Sequence, residues 1–505
     1  MKKLYYALFL ILLFTIVLFS AWPMIRGNID FHTDIARDFL LLEDVYHNHN
    51  ITLIGPRSGG IPGVFHGPLW LYLNLPAYII GAGNPVVVGW FWLLIFILSI
   101  VVVYYVGKKM FDTTTAIFGS LLFASSTGAS VYAFFNPAGA VMLAPLFMFL
   151  LWLYIRKKNP YVLAVCMFVL GCIIQFQMAF GVPLLVVVIP VLLYQILCDK
   201  KINKMFHFIA LLSILLPLSS YLLFELRHDF LQVRSVINYL SGVENTGKVD
   251  ISLNGLVMQR INTLINDAPG MVGMNVLWIT IIIVFTILSG ITHGIKKITV
   301  QNPFLLFTIL YIGYWVVTLP YKGAFWGYYY WPFVSVISII VASSHKYIGK
   351  KLFLGIMAVI LISNINMLFR KHVHDQQSTG GWKFFHQVAE KVFKDAPVEF
   401  GYYIFTTDLF GYSSQYAMHY EDRKDDRKIG SPYTKKPVTY LLVDDPGDHP
   451  SVNAIDWKLY DVRINAEPVI KTQISNTYNI QKFDLSGKDL TEPSNPYMLN
   501  SLIFR

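Results

Sequence analysis

The sequence predicts a mainly α-helical, polytopic membrane protein that ends in a small α/β domain. Three observations carry this. The 505 residues are 55% hydrophobic and only 14% charged, with a mean hydropathy of +0.53, a balance outside the range of soluble chains of this size. Apolar runs long enough for a membrane helix of ~20 residues recur along the first three quarters of the chain. From about Lys371 onward they stop, and polar, turn-rich sequence replaces them.

Taken in order, the apolar runs give about eleven spans, at 4–22, 85–107, 113–134, 138–155, 160–178, 180–198, 206–225, 273–292, 303–320, 329–345 and 352–369. The first follows Lys2-Lys3. It is long for a signal-peptide core and no A-x-A-like site follows, so it is expected to stay as an uncleaved anchor. The stretch Pro68–Gly81 is apolar but short and interrupted by Pro76, which predicts an interfacial or re-entrant helix. The formal charge is 40 − 30 = +10, but its distribution excludes a nucleic-acid surface. Lys108-Lys109, Arg156-Lys157-Lys158, Lys200-Lys201, Lys296-Lys297 and Lys350-Lys351 lie in short turns between spans. With the N-terminus inside, all of these turns are cytoplasmic. A twelfth span at Pro68–Gly81 would invert that pattern, so the C-terminal part is expected outside.

The division that follows is 1–370 for the transmembrane domain and 371–505 for an exterior α/β domain. Two exterior loops, 23–84 and 226–272, interrupt the spans. In the C-terminal part, Trp382–Phe393 has apolar residues at helical spacing. Val398–Phe405, Val438–Val443 and Tyr478–Phe483 read as strands, and the charge run Glu421–Asp426 reads as a solvated loop. Cys166, Cys172 and Cys198 lie in apolar runs or at their ends, which suits core packing better than zinc or a disulfide. Compact loops, and no retention signal at Leu502-Ile503-Phe504-Arg505, favour a prokaryotic cell membrane.

The spans are nearly free of Asp, Glu, Lys and Arg, which weighs against an ion-coupled transporter. Neutral polar groups such as Gln175 and Gln177 lie near the outer end of the fifth span. Charge gathers in the exterior loops instead. Asp34, Arg37 and Asp38 fall at i, i+3 and i+4 and share one helical face. That spacing serves a pair of acid/base carboxylates with an orienting arginine, and equally an ordinary salt-bridged surface helix. Arg57 stands between Gly55-Pro56 and Gly59-Gly60, a frame that lets a cation approach an anion. His66 opens the interfacial helix, whose N-terminus favours anions. Glu225, in Phe224-Glu225-Leu226-Arg227-His228, marks the end of the seventh span. Lys322 precedes the aromatic run containing Tyr329, which is either a membrane anchor or a phosphate clamp. No residue is assigned to a metal.

Together these segments resemble a GT-C-type glycosyltransferase of the protein mannosyltransferase and aminoarabinose-transferase kind. That family carries D-E-x-R-[YF] in its first exterior loop. Asp34-Ile35-Ala36-Arg37-Asp38 resembles it, with Ile35 in place of the second acid and Asp38 in place of the aromatic. The family's [KH]-P-P-L-x-x-[WY] segment is similar to His66-Gly67-Pro68-Leu69-Trp70-Leu71-Tyr72, with Gly67 in place of the first proline. Asn84-Pro85 and Asn136-Pro137 match at the openings of the second and fourth spans, as do the segment around Glu225 and the Tyr-rich start of the tenth span. The resemblance covers roughly residues 1–370.

It implies an inverting transfer of a sugar from a polyprenyl-phosphate donor (undecaprenyl or dolichyl) to a hydroxyl-bearing glycan, lipid or protein at the outer face of the bilayer. The donor is then a substrate. No tightly bound cofactor is implied, and a divalent metal requirement stays open. Asp34 or Asp38 would be the base, and Arg37, Arg57, His66, Glu225, Lys322 and Tyr329 would bind substrate. The alternatives are a polysaccharide polymerase or ligase of the O-antigen type, and a lipid or glycan transporter. The first usually carries its large functional loop late in the chain. The second is expected to show charged spans or paired repeats, and neither is visible.

Overall fold

A computed structural model of the chain describes residues 2–498 except 59, 201, 243–251, 268–269, 274–275, 293–299, 375–379, 409 and 448–452. Gly59, Lys201, the pair Lys296-Lys297 and the end Leu502–Arg505 lie outside the described residues. The chain divides into two compact units. One comprises residues 1–22, 51–74 and 90–376; the other comprises 23–50, 75–89 and 377–505.

The first unit is helical. Among the described residues, six helices are long and apolar enough to cross a membrane: Tyr6–Ile25, Pro85–Met110, Thr113–Ala133, Pro137–Lys157, Met178–Cys198 and Lys350–His374. Shorter apolar helices stand at Pro160–Phe176, Ile279–Thr292, Pro303–Val317 and Phe333–Lys346, and at Leu69–Ile80 where the interfacial helix is expected. The stretch expected as the seventh span is not one straight helix. Lys204–Leu215 and Ser219–Arg227 meet at 67° around Pro217, which has no N–H to give and whose ring obstructs the preceding turn. The Pro217 carbonyl, at the break, accepts from Gln175 Nε2 at 2.7 Å. That donor resolves what an apolar setting would otherwise leave unpaired.

Helix starts follow the sequence chemistry. Pro137, Pro160 and Pro303 stand in the first turn of their helices, where a missing N–H costs nothing. Asn159 and Asn302 cap two of these by accepting from the N–H groups of Tyr161 and Phe304. Asp112 caps Thr113–Thr127 through the Thr115 N–H and also pairs with Lys346 at 3.0 Å. Inside the unit, Asn364 Nδ2 donates to Ser125 Oγ and to the Val272 carbonyl, while its Oδ1 has no hydrogen-bond partner among the described residues.

The second unit is built on a five-stranded sheet ordered β2-β1-β3-β5-β4, with β1 Glu399–Thr406, β2 Ile429–Pro432, β3 Val438–Asp444, β4 Ile470–Gln473 and β5 Tyr478–Asp484. β1 runs parallel to β2 and β3, while β5 runs antiparallel to β3 and β4. The parallel β1–β2 pair needs a crossover, supplied by helix Tyr412–Lys424. This helix takes in Glu421–Lys424, so the charge run is only partly a loop. Glu421 is buried because His386 Nε2 lies 2.7 Å and Lys424 Nζ 3.3 Å from its carboxylate. Tyr403, Phe405, Leu441, Val443 and Phe483 project from the three middle strands into an apolar core shared with Trp457 and Val462.

Leu441 is wholly buried there. Leu441→Ala is expected to cost about 2–5 kcal/mol, the range for an interior leucine that leaves a cavity. Protease susceptibility of the C-terminal segment in the full-length protein, followed against denaturant, checks this through a lower midpoint.

Candidate active site

In the second unit, helix Thr33–His47 presents the acidic motif. Asp34 lies in its first turn, where a negative charge meets the positive end of the helix dipole. Arg37 Nη1 is 2.8 Å from Asp34 Oδ1 and its Nη2 is 3.5 Å from Asp38 Oδ1, so one guanidinium serves both carboxylates. The two acids differ in exposure, 41% for the Asp34 side chain against 6% for Asp38. Asp38 Oδ2 has no hydrogen-bond partner among the described residues. Burial pushes the Asp38 carboxyl up to about 7, against the lowering pull of Arg37. Nearby, His32 Nδ1 sits 3.5 Å from Asp30 Oδ1. Burial lowers the His32 pKa, but the Asp30 bond and the neighbouring carboxylates of Asp30, Asp34 and Asp38 together outweigh it and leave the imidazole above its ordinary value.

The apolar side of this helix packs inside the same unit. Phe39 lies 5.4 Å from Phe31 and 5.3 Å from Tyr416, ring to ring. The incoming strand is tied to the C-terminal segment by Phe31 N–H to the Gly380 carbonyl and Trp382 N–H to the Ile29 carbonyl. The motif is therefore part of the α/β unit, although more than 330 residues separate them in sequence.

The first unit holds the remaining expected site residues. Residues 55–58 and 64–67 pair as the arms of a narrow hairpin in which Arg57 pairs with Phe65 and the Gly55 N–H donates to the His66 carbonyl at 2.7 Å. Arg57 is exposed and His66 half-buried. Gly60 at the hairpin tip leaves room only for the Tyr321 and Tyr329 hydroxyls, since an added Cβ would meet Tyr321 Oη at 2.5 Å. The hairpin with Arg57 is thus brought against the segment of Lys322 and Tyr329. The exposed Lys322 is fixed through its backbone N–H, which donates to Tyr239 Oη at 3.1 Å. Tyr329 is buried, and its carbonyl accepts from Tyr314 Oη. Glu225 has a different setting. Its two oxygens accept from the N–H groups of Gln232 and Val233 at the start of helix Leu231–Ser241, and Gln232 Oε1 in turn accepts from Phe65 N–H. Glu225 thereby caps the helix that holds the hairpin.

Sequence reasoning missed Arg260, which is 2% exposed. It stacks at 3.8 Å over Phe325 and donates to the Tyr321 carbonyl at 2.8 Å. Its only sequence signal is a position four residues after the buried Leu256 on one short helix. Among the described residues, His386, Glu390 and Glu421 are grouped closely enough for a cation. Lys424 Nζ already stands 3.3 Å from Glu421 and 3.9 Å from Glu390, so the group is an ion-pair network.

Because the folded Asp38 pKa lies above the ordinary 3.8, the fold holds this proton more tightly than the unfolded chain does. Stability from the group is full below pH 3.8 and is lost as pH rises through about 7. Asp38→Asn cannot titrate. Its melting temperature relative to the parent is expected to rise across this window and level off above it, measured by thermal unfolding in detergent. A pH-independent difference would contradict a buried, proton-holding Asp38.

No family model matches the sequence, and no curated protein matches it. Solved structures do. ArnT from Cupriavidus metallidurans bound to undecaprenyl phosphate aligns with a TM-score of 0.62 at 11% identity, covering 98% of this chain and 100% of that one. The same protein in the apo state aligns at 0.63 and 10% identity, covering 95% and 98%. The oligosaccharyltransferase AglB from Archaeoglobus fulgidus aligns at 0.49 and 13% identity over 83% of this chain and 64% of its own, too low to add to the argument. At such identities the likeness is one of fold, and it bears out the resemblance read from the motifs: over nearly its whole length, this chain has the fold of ArnT, an aminoarabinose transferase of the GT-C class.

Proposed function

We propose that the protein is a glycosyltransferase that moves a sugar from a polyprenyl-phosphate-linked donor to a hydroxyl acceptor at the outer face of the membrane, with inversion. The observation that carries this reading is the Asp34–Arg37–Asp38 face on a fold shared with ArnT, a protein crystallised with undecaprenyl phosphate. Asp34 is the reachable carboxylate, ion-paired at 2.8 Å, and is assigned as the base. The acceptor hydroxyl gives its proton to Asp34 while its oxygen attacks the anomeric carbon. The bond from that carbon to the phosphate oxygen breaks, and its electron pair leaves with the lipid phosphate. One positioned base suffices for such a displacement. Asp38, held neutral below about pH 7, keeps Arg37 aligned without a second full negative charge.

The leaving phosphate needs positive groups where charge develops. Arg57, His66 and Lys322 are assigned this role, with Arg260 as a deeper guanidinium. The Tyr329 hydroxyl lies at the Gly60 hairpin tip and is assigned to the same site. Glu225 is assigned to positioning, through its cap on Leu231–Ser241.

Six long apolar helices, the bent pair and four of the five shorter ones are assigned as the eleven expected spans. With the basic turns inside, residues 371–505 then lie outside a prokaryotic cell membrane. The acceptor, whether glycan, lipid or protein, is identified by mass spectrometry of envelope components with and without the gene.

Asp34→Asn retains shape but not the proton acceptor, so product is expected to fall roughly 10²–10⁴-fold with expression unchanged. Undecaprenyl phosphate binding by purified Asp34→Asn is expected to match the parent. Full activity in Asp34→Asn, Asp38→Asn and the double variant would leave only a salt-bridged surface helix and end this reading. For topology, a phosphatase fused after Arg505 should be active and one fused at Lys201 inactive; the reverse would place the acidic motif in the cytoplasm.

A further inference from the structure

The helix that carries Asp34 is gripped by groups for which the proposed chemistry has no use. Glu43 lies nine residues beyond Asp34 on Thr33–His47, which at 100° per residue puts it on the opposite face. Its two carboxylate oxygens take different partners, both from helix Tyr412–Lys424. Oε1 accepts from Arg423 Nη1, and Oε2 lies 3.2 Å from His419 Nδ1. The Glu43 side chain is 17% exposed and that of Arg423 is 24% exposed, so this is not a solvent-screened surface pair. The Arg423 guanidinium also sits 5.6 Å over the ring of Tyr416, which packs on Phe39 of the same carboxylate helix.

The other end is pinned as well. The Thr33 hydroxyl donates to Asp408 Oδ2 at 2.6 Å, while Asp408 Oδ1 accepts from the Thr406 hydroxyl and the Phe410 N–H. Ser413 Oγ donates to the Phe31 carbonyl. Apolar packing by itself tolerates small rotations and slips of a helix. The directional bonds to Glu43 do not, because a displacement leaves a largely shielded charge unpaired; the Thr33–Asp408 bond at the other end is exposed and adds direction only.

We propose that Arg423 and His419, acting through Glu43, are positioning residues that fix the rotation and axial register of the Asp34–Arg37–Asp38 helix. The exterior α/β domain is then a working part of the active site's frame. This rests on the transferase reading of that helix, but the clamp can be tested without it.

The experiment uses the full-length protein in detergent, comparing Arg423→Met, which keeps length and loses the charge, with Arg423→Lys, which keeps a donor. Hydrogen exchange is followed for the amides of 33–47 and of β3. The infrared carboxyl band assigned to Asp38 by its loss in Asp38→Asn is titrated in each variant. In Arg423→Met, exchange in 33–47 should rise about 10-fold or more with β3 unchanged. The Asp38 titration should move down toward the ordinary carboxylate range as water reaches it. Arg423→Lys should restore most of both. Envelope product should fall in Arg423→Met and recover in Arg423→Lys. Unchanged exchange or an unmoved Asp38 band in Arg423→Met overturns the proposal. So does equal acceleration in β3, which would make Arg423 a general fold contact. If the parent forms no product at all, the transferase reading fails, while exchange and the Asp38 band still decide the clamp.

Discussion

The sharing of one guanidinium between two carboxylates is the interaction on which the proposed chemistry depends, and the surrounding packing serves to hold it. Asp34 and Asp38 lie one helical turn apart, and two full negative charges at that separation would repel unless a cation stood between them. Arg37 stands there, but closer to Asp34, at 2.8 Å against 3.5 Å. The remaining imbalance is resolved by burial, which leaves Asp38 protonated below about 7. The outcome is one exposed, ion-paired carboxylate beside one buried, neutral one. Environments that drive two acids apart in this way are what assign separate roles to chemically identical groups.

Such a pair is only as well defined as the helix bearing it. Thr33–His47 has no side-chain cap at its N-terminus and is 15 residues long, about the length at which isolated helices are marginal in water. Its order must come from packing. The second unit supplies it through Phe31, Phe39 and Tyr416, through Glu43 on its far face, and through Thr33 at its start. The helical unit follows the same economy for the hairpin of Arg57: Glu225 caps a helix, that helix offers Gln232, and Gln232 binds the Phe65 N–H. In both units Asp34 and Arg57 are more exposed than the groups that hold their segments: Glu43 and Arg423 in one, Glu225 and Gln232 in the other.

Much of this was legible in the sequence, for local reasons. Apolar runs and Asn-Pro starts marked the helices, because a segment that cannot bond to water must satisfy its own backbone. The i, i+3, i+4 spacing marked the acidic face. The break at Pro217 was not read from the sequence, where 206–225 counts as one span; the Gln175 that bonds the Pro217 carbonyl there is more than forty residues away. β2 and β4 escaped notice because they are four-residue edges containing Gly, Ser, Pro or Lys and no buried stripe. Helix Tyr412–Lys424 was obscured by its polar composition, since Glu421 reads as solvated until His386 is seen beside it. The membership of the acidic motif in the C-terminal unit was not legible at all. It rests on contacts such as Glu43 with Arg423, 380 positions apart, which carry no local signature.

The departures from the family pattern become physical choices in this setting. Ile35, where the pattern has a second acid, is 1% exposed, and an unpaired carboxylate there would carry a large desolvation cost. Asp38 stands where the pattern has an aromatic and is itself buried. A carboxyl can occupy an interior position at modest cost when it keeps its proton, which is the state that burial imposes on it. Gly67 stands where the pattern has a proline. Its N–H donates to the Gln175 carbonyl at 3.1 Å, and any Cβ would run into the Gln175 side chain. Proline would lose the bond and make the collision. The same Gln175 bonds the Pro217 carbonyl at the helix break. The glycine in the motif and the bend in the seventh run therefore converge on one buried carboxamide, and a change at either site has to be answered at the other.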